Sequence, residues 1–230
     1  MRRRTVLSLL MTAAVAPAFA EAPSGPDPAS VPPTLADPAA ANQPRALTQD
    51  ETDLVNAISA HNTAISTMVG KFLQVDTKGA RIEGTFYLQR PGKIRFRYNP
   101  PSHEEILSIG QGFYVIDREE KTQYAYPQDK VPLRQFLDQN IDLLHAGLTA
   151  ISQSANYVSL SLQDDTPAGL VKVTLVFDKQ SKDLVQWVLV DPTGVALTFS
   201  LYDVQQGVDI PRSYFYLNIN DYNQVQGPNG

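Results

Sequence analysis

The sequence predicts a mainly β domain with a few helices: a long antiparallel sheet, one amphipathic helix before it and a helical insertion midway. Three observations carry this. A helix-start signature precedes a single stretch of helical apolar spacing. From Gly70 onward the apolar period changes to two and persists for most of the chain, broken by short turn signals. Between Val131 and Ala146 the alternation lapses, and apolar residues recur at helical spacing behind Pro132.

In chain order, residues 1–20 read as an export signal to be cut after Ala20. Arg2, Arg3 and Arg4 form a basic start, Val6 to Val15 an apolar run too short to span a bilayer, and Ala18-Phe19-Ala20 a small-x-small ending. Arg3-Arg4-Thr5-Val6-Leu7 loosely resembles a twin-arginine signal, and either export route leads to the periplasm. Removing this segment takes three of the 19 basic residues and none of the 24 acidic ones, so the mature chain is three charges more acidic than the −5 of the whole sequence. Such a balance excludes a general nucleic-acid footprint. Residues 21–47 are a Pro-rich tail, with seven prolines between Glu21 and Pro44 and no apolar period, read as disordered spacer or leader.

The folded domain is expected over 48–220, with 221–230 as a flexible end. Thr48-Gln49-Asp50-Glu51 has the form of a capping box and opens the apolar series Leu54, Val55, Ile58 and Ile65, which predicts a helix over 49–68. Turn signals at Lys78-Gly79, Pro91-Gly92, Asn99-Pro100-Pro101 and Gly110-Gln111-Gly112 separate the first strands. In one of them Phe86, Leu88 and Arg90 share a face; in the next Ile94, Phe96 and Tyr98 do, and Lys93, Arg95 and Arg97 line the other, read as solvated or as a docking stripe for an acidic partner or lipid headgroups. Phe113 to Ile116 supply a further strand. One or two short helices then follow over Val131–Ala146, with Leu133, Phe136, Leu137, Ile141, Leu143 and Leu144 as their apolar residues. Strands resume at Tyr157–Leu162, Leu170–Phe177, Leu184–Val190, Val195–Tyr202 and Ser213–Leu217, ten or eleven in all, with Asp164-Asp165-Thr166-Pro167 as a loop. Trp187 lies in a strand that is apolar on both faces.

Several chemistries find no support. There is no cysteine, hence no disulfide, thiolate metal site or acylated N-terminal Cys. His61, His103 and His145 have no metal-ligand spacing, and no P-loop, G-x-S-x-G, G-x-G-x-x-G or H-E-x-x-H occurs. Glu104-Glu105 are adjacent on a strand and so point to opposite faces, which does not suit a shared-proton pair. No catalytic residue, metal or cofactor is expected.

The run Gly84-Thr85-Phe86-Tyr87-Leu88-Gln89-Arg90-Pro91-Gly92-Lys93-Ile94-Arg95-Phe96-Arg97-Tyr98, followed by a Pro and then Ile106-Leu107-Ser108-Ile109-Gly110, resembles the LolA family of periplasmic lipoprotein carriers. Phe96 stands where the family commonly has Trp, and Ile109 where it usually has Asp. The resemblance implies an incomplete, half-open antiparallel β-barrel with a helical lid over an apolar cavity. It places the lid-latching arginine at Arg90, bonded to carbonyls of the lid. It implies a cavity for acyl chains drawn from Phe86, Leu88, Ile94, Phe96, Tyr98, Phe113, Val115 and Trp187, with Phe136, Leu137, Leu143 and Leu144 as the inward face of the lid.

The function so implied is that of a monomeric carrier that is not an enzyme. It takes lipoproteins from an inner-membrane lipoprotein-releasing ABC transporter complex, shields their acyl chains and passes them to an outer-membrane acceptor. Without cysteine the chain is expected to be the free carrier and not a lipid-anchored acceptor; without a nucleotide site its energy must come from the loading partner. Two other readings stay open: a carrier of a different lipid, and an exported hydrolase whose carboxylates or Ser and His are assembled only by folding.

Overall fold

The computed structural model describes residues 46–225 apart from 111, 133, 167 and 168. The expected export signal, nearly all of the Pro-rich tail, the last five residues and Leu133 lie outside the described residues. Among the described residues no helix is long and apolar enough to cross a membrane.

Helix α1 spans Gln49–Ala64. Its start is the predicted box: the Glu51 amide donates to Thr48 Oγ1 at 3.2 Å, and the Thr48 amide donates to Glu51 Oε2 at 2.9 Å. The buried stripe is Val55, Ile58, Ser59 and Asn62, the i, i+3, i+4, i+7 set of a helix laid on a core. The helix ends four residues before the expected boundary. Ile65 is already extended, and strand β1 (Thr67–Asp76) begins before Gly70, because from Met68 on both of its edges are hydrogen-bonded, to β2 (Arg81–Gln89) and to β11 (Ala196–Gln206). Two ladders outweigh one further helical turn.

The remaining strands are β3 (Lys93–Tyr98), β4 (Glu104–Ile109), β5 (Gly112–Asp117), β6 (Thr122–Pro127), β7 (Leu148–Gln153), β8 (Tyr157–Thr166), β9 (Gly169–Asp178), β10 (Leu184–Val190) and β12 (Asn223–Gln224). They make one twelve-stranded sheet in the order β12-β6-β5-β4-β3-β2-β1-β11-β10-β9-β8-β7. All neighbours are antiparallel except β12 with β6, and among the described residues β7 and β12 are free edges, so the barrel is not closed.

The sheet nevertheless curls tightly. β3 and β10 are four strand intervals apart, about 19 Å in a flat sheet, yet the rings of Phe96 and Trp187 are 6.0 Å apart, centroid to centroid. Both halves therefore share one core, whose fully buried centre includes Phe72, Phe86, Leu160, Leu175 and Phe177. Gly84 makes the packing around Phe72 possible: a Cβ there would lie 2.5 Å from the Phe72 ring and would strike the Arg97 carbonyl.

Several expectations are corrected. Among the described residues of 131–146 there is no α-helix; a 3-10 turn at Gln128–Lys130 precedes the region, which holds another at Arg134–Leu137 and then bends. The backbone donors of that stretch are used elsewhere, since the Ile141 amide donates to Thr63 Oγ1 and the Leu143 amide to Ser59 Oγ, both on α1. β7 adds an edge strand without a clear alternating signal. Asp164 and Asp165 are not in a loop; they end β8, opposite Val171 and Leu170 of β9. Ser213–Leu217 is not a strand, because every strand nearby is already paired on both sides. Its residues lie mostly in a 3-10 turn, Arg212–Phe215, stacked on the outer face of β3 and β4.

That last segment also changes the basic stripe. Arg95 is not solvated: it meets Glu105 at 2.5 Å and donates to the Tyr214 carbonyl at 2.6 Å, while Lys93 Nζ sits 6.0 Å from the Phe215 ring. Leu107, Ile116, Ile210 and Phe215 form a second, smaller core there. Only Arg97 of the stripe is exposed, and it too faces Glu105, at 3.7 Å.

Candidate functional site

The alternation of the strands sends one face of each into the curled interior, where the side chains leave a cavity of about 160 Å³. Phe86 and Leu88 come from β2, Ile94 and Phe96 from β3, Phe113 and Val115 from β5, and Trp187 from β10. Phe136 and Leu137, on the second 3-10 turn, close one side together with Val131 and Pro132. These nine expected residues thus meet at a single void.

Three expected lining residues lie elsewhere. Tyr98 shares the face of Ile94 and Phe96 but sits beyond the cavity, edge-on to Phe72 at 5.1 Å, with its hydroxyl donating to Gln74 Oε1 at 2.6 Å. Burial, and secondarily the Glu104 carboxylate, push its phenol well above the ordinary tyrosine range. Leu143 is buried under α1, tied by its backbone to Ser59, and Leu144 packs at the margin of the same core.

The lining also has members that the sequence reading did not select. Leu197, Phe199 and Leu201 of β11, Leu189 of β10, Leu175 of β9 and Met68 of β1 form much of the opposite wall. The signal was present, since Leu197, Phe199 and Leu201 alternate strictly, but the same alternation describes ordinary core. Among the described residues Tyr126 brings the lining's only hydroxyl.

The turn after β2 grips the closing segment. Arg90 is 8% exposed; its Nε donates to the Phe136 carbonyl at 2.9 Å and its Nη1 donates to the Ile65 carbonyl, at the end of α1. The guanidinium lies 5.1 Å from the Phe136 ring centroid. Burial lowers the Arg90 pKa to about 10, so the group remains a cation at neutral pH. Two residues on, the Gly92 amide donates to the Leu137 carbonyl at 2.7 Å. Ser108 Oγ holds the turn in turn by donating to the Gly92 carbonyl at 2.8 Å. On the far side Arg134 meets Asp164 of β8 at 2.6 Å. The segment 134–137 is therefore fastened to both halves of the curled sheet, and neither Gly92 nor the Arg134–Asp164 pair was selected from sequence.

Titratable groups do not converge on the cavity. Each histidine has one carboxylate neighbour, His61 with Asp183 at 2.7 Å, His103 with Glu119 at 3.3 Å and His145 with Asp142 at 2.7 Å. Among the described residues no three His, Asp or Glu side chains come together as a metal site would require. What the arrangement can do is enclose something apolar under a cover attached by a few polar contacts.

The chain is similar to known proteins in three comparisons. It is 36% identical over 70 residues to an outer-membrane lipoprotein carrier protein of Methylobacillus flagellatus, covering 28% of this chain and 34% of the relative. It is 36% identical over 81 residues to one of Methylococcus capsulatus, covering 32% of this chain and 39% of the relative. The chain thus matches little more than a third of the length of these relatives. A solved LolA superfamily protein from Nitrosomonas europaea superposes with a TM-score of 0.40 at 9% identity, covering 71% of this chain and 98% of that one. The family model described as outer membrane lipoprotein carrier protein LolA matches residues 63–218, more than half of the sequence and the whole span from the end of α1 to the segment on the outer face; the chain belongs to the LolA family.

Proposed function

We propose that this protein is a periplasmic carrier that takes lipoproteins released from the inner membrane, shields their acyl chains in the apolar cavity and delivers them to an acceptor at the outer membrane. The observation that carries the reading is a cavity walled almost wholly by hydrocarbon and aromatic rings, under a cover held by Arg90 and Gly92. An acyl chain of roughly sixteen carbons loses about 0.8 kcal/mol per methylene when exposed to water, on the order of 12 kcal/mol in all. An open surface could not offset that, whereas an enclosed cavity can.

The size of the cavity bears on how such a carrier would work. A dry void of about 150 Å³ accommodates a benzene ring, so the present 160 Å³ is too small for a whole acyl chain. A long chain enters only if the 134–137 segment moves away. Its fastenings suit that: a handful of hydrogen bonds and one ion pair can be exchanged for water, and the apolar contacts of Phe136 and Leu137 can be replaced by those of the incoming chain. The chain offers no nucleotide motif, so the work of drawing a lipoprotein out of the membrane comes from the loading partner, an inner-membrane lipoprotein-releasing ABC transporter, while single-chain lipids can enter unaided.

The test is reconstitution. Purified protein added to inner-membrane vesicles carrying the transporter and radiolabelled lipoprotein is expected to bring the lipoprotein into the soluble fraction as a one-to-one complex. Lipoprotein that stays in the vesicles with an active transporter overturns the carrier reading.

A further inference from the structure

The cavity holds one polar atom that its apolar walls do not explain. Tyr126 lies near the end of β6, paired across the ladder with Phe113, and both side chains line the cavity. The phenol oxygen is fully buried, and among the described residues it has no hydrogen-bond partner. A Phe would fill the same space without leaving a buried donor unmet, so the hydroxyl is a cost unless something in the cavity uses it.

What it could use is narrowly defined. Among the described residues no charged side chain lines the cavity, so an ionised headgroup would have no counter-charge inside. Burial, with a smaller contribution from Tyr124, pushes the Tyr126 phenol up to about 12, which keeps the proton in place for donation. The partner must therefore be a neutral acceptor at the polar end of an otherwise apolar ligand. Tyr126 also stands where β6 runs into the closing segment that carries Val131, Pro132, Phe136 and Leu137. The head of a chain would lie there if its tail reached into the opposite wall.

We infer that the Tyr126 hydroxyl anchors the ligand by donating a hydrogen bond to the ester carbonyl at the head of a bound acyl chain. This rests on the carrier reading and narrows it: the cavity selects ester-linked acyl chains over hydrocarbons of the same length, such as ether-linked alkyl or isoprenoid chains.

Trp187 is the chain's single tryptophan and lines the cavity, so its emission reports occupancy. The full folded chain is titrated with 1-lauroyl-lysophosphatidylcholine and with its 1-O-dodecyl ether analogue, below their micelle concentrations. The expected result is a preference for the ester of roughly five- to tenfold, the size of one neutral hydrogen bond, abolished in Tyr126→Phe. Equal wild-type binding of ester and ether overturns the inference while leaving the carrier reading standing, as does a preference that survives in Tyr126→Phe. A Trp187 signal that responds to neither ligand overturns both. Repeating the wild-type and Tyr126→Phe comparison with a dipalmitoylglyceryl-cysteine lipopeptide and with a dipalmitoyl phospholipid distinguishes the sources. A selective loss with the lipopeptide assigns the ester to lipoproteins, a selective loss with the phospholipid assigns it to membrane lipid, and no loss with either overturns the inference.

Discussion

Arg90 places a cation where an aliphatic side chain would fit, against the Phe136 ring and between two main-chain carbonyls. Its guanidinium is desolvated without a carboxylate partner at hand, and one of its nitrogens, Nη2, meets no partner among the described residues. Such a group holds the closing segment by directional bonds that water can replace, whereas a leucine would hold it by burial alone. Arg90→Leu is therefore expected to favour the closed form, with thermal stability equal to or up to about 1 kcal/mol above the parent, and to abolish transfer to an acceptor. Unchanged transfer in a two-compartment assay would count against the latch. Glu104 gives a second prediction at this scale. It faces Asp117 across the β4–β5 ladder, and burial first, then that neighbour, push its carboxyl up from 4.5 to about 7. The folded state then binds more protons than the unfolded state between those values. The group's contribution to stability is complete below about 4.5 and is lost as pH rises through about 7. Glu104→Gln is expected to stabilise the fold at pH 8 relative to the parent, by on the order of 1 kcal/mol after discounting for partial exposure, seen as a higher urea midpoint, with little difference at pH 4. Parallel shifts at both pH values would contradict it. Of these two residues, Arg90 is legible in the sequence through the Arg-Pro turn that carries the family resemblance. The environment of Glu104 is not, because it depends on what lies opposite across a ladder.

At the scale of elements, the proposed function turns on the closing segment. Its sequence shows apolar residues at helical spacing, but Pro132 and the capture of its amides by Ser59 and Thr63 leave only one 3-10 turn where Phe136 and Leu137 point inward. Local spacing shows which residues are apolar; the neighbouring helix decides the backbone. The same limit applied to Ser213–Leu217, whose alternation suits a strand but whose Phe215 is needed on the outer face of β3 and β4, and to the Lys93-Arg95-Arg97 stripe beneath it. β3, with its strict alternation, was readable to the residue, since a one-residue slip would turn its apolar face outward, and β10 matched its apolar run, whereas β2 starts four residues before the expected Thr85. The Arg134–Asp164 pair makes the closing segment testable independently of Arg90. Asp164→Asn keeps the shape and removes the charge. It is expected to weaken closure by about 1 kcal/mol or less, as partly exposed ion pairs do. Hydrogen exchange should report this as faster exchange of the Gly92 amide, which bonds the Leu137 carbonyl, with the β1–β2 amides unaffected. Uniformly faster exchange would mean global destabilisation and no specific clasp.

For the molecule as a whole, an unclosed sheet is the central fact. A closed twelve-stranded barrel would fix its interior, whereas this sheet has free edges at β7 and β12 and brings its halves together through Phe96, Trp187 and Phe199. The two halves of the sheet and the segment between them can part without breaking a ladder, and the cavity lies between them. The general shape was within reach of the sequence, through the period of two and the family resemblance. The cavity was not, because a residue lining a void and a residue packed in a core obey the same pattern until coordinates distinguish them. Phe199 and Tyr98 show the difference in opposite directions. The central claim, that this void takes the acyl chains of lipoproteins, is tested most directly by native mass spectrometry of the protein purified from the periplasm of its own host. The account predicts a fraction of the protein bound one-to-one to triacylated lipoprotein. Recovery of other lipids with no triacylated lipoprotein among them would contradict it.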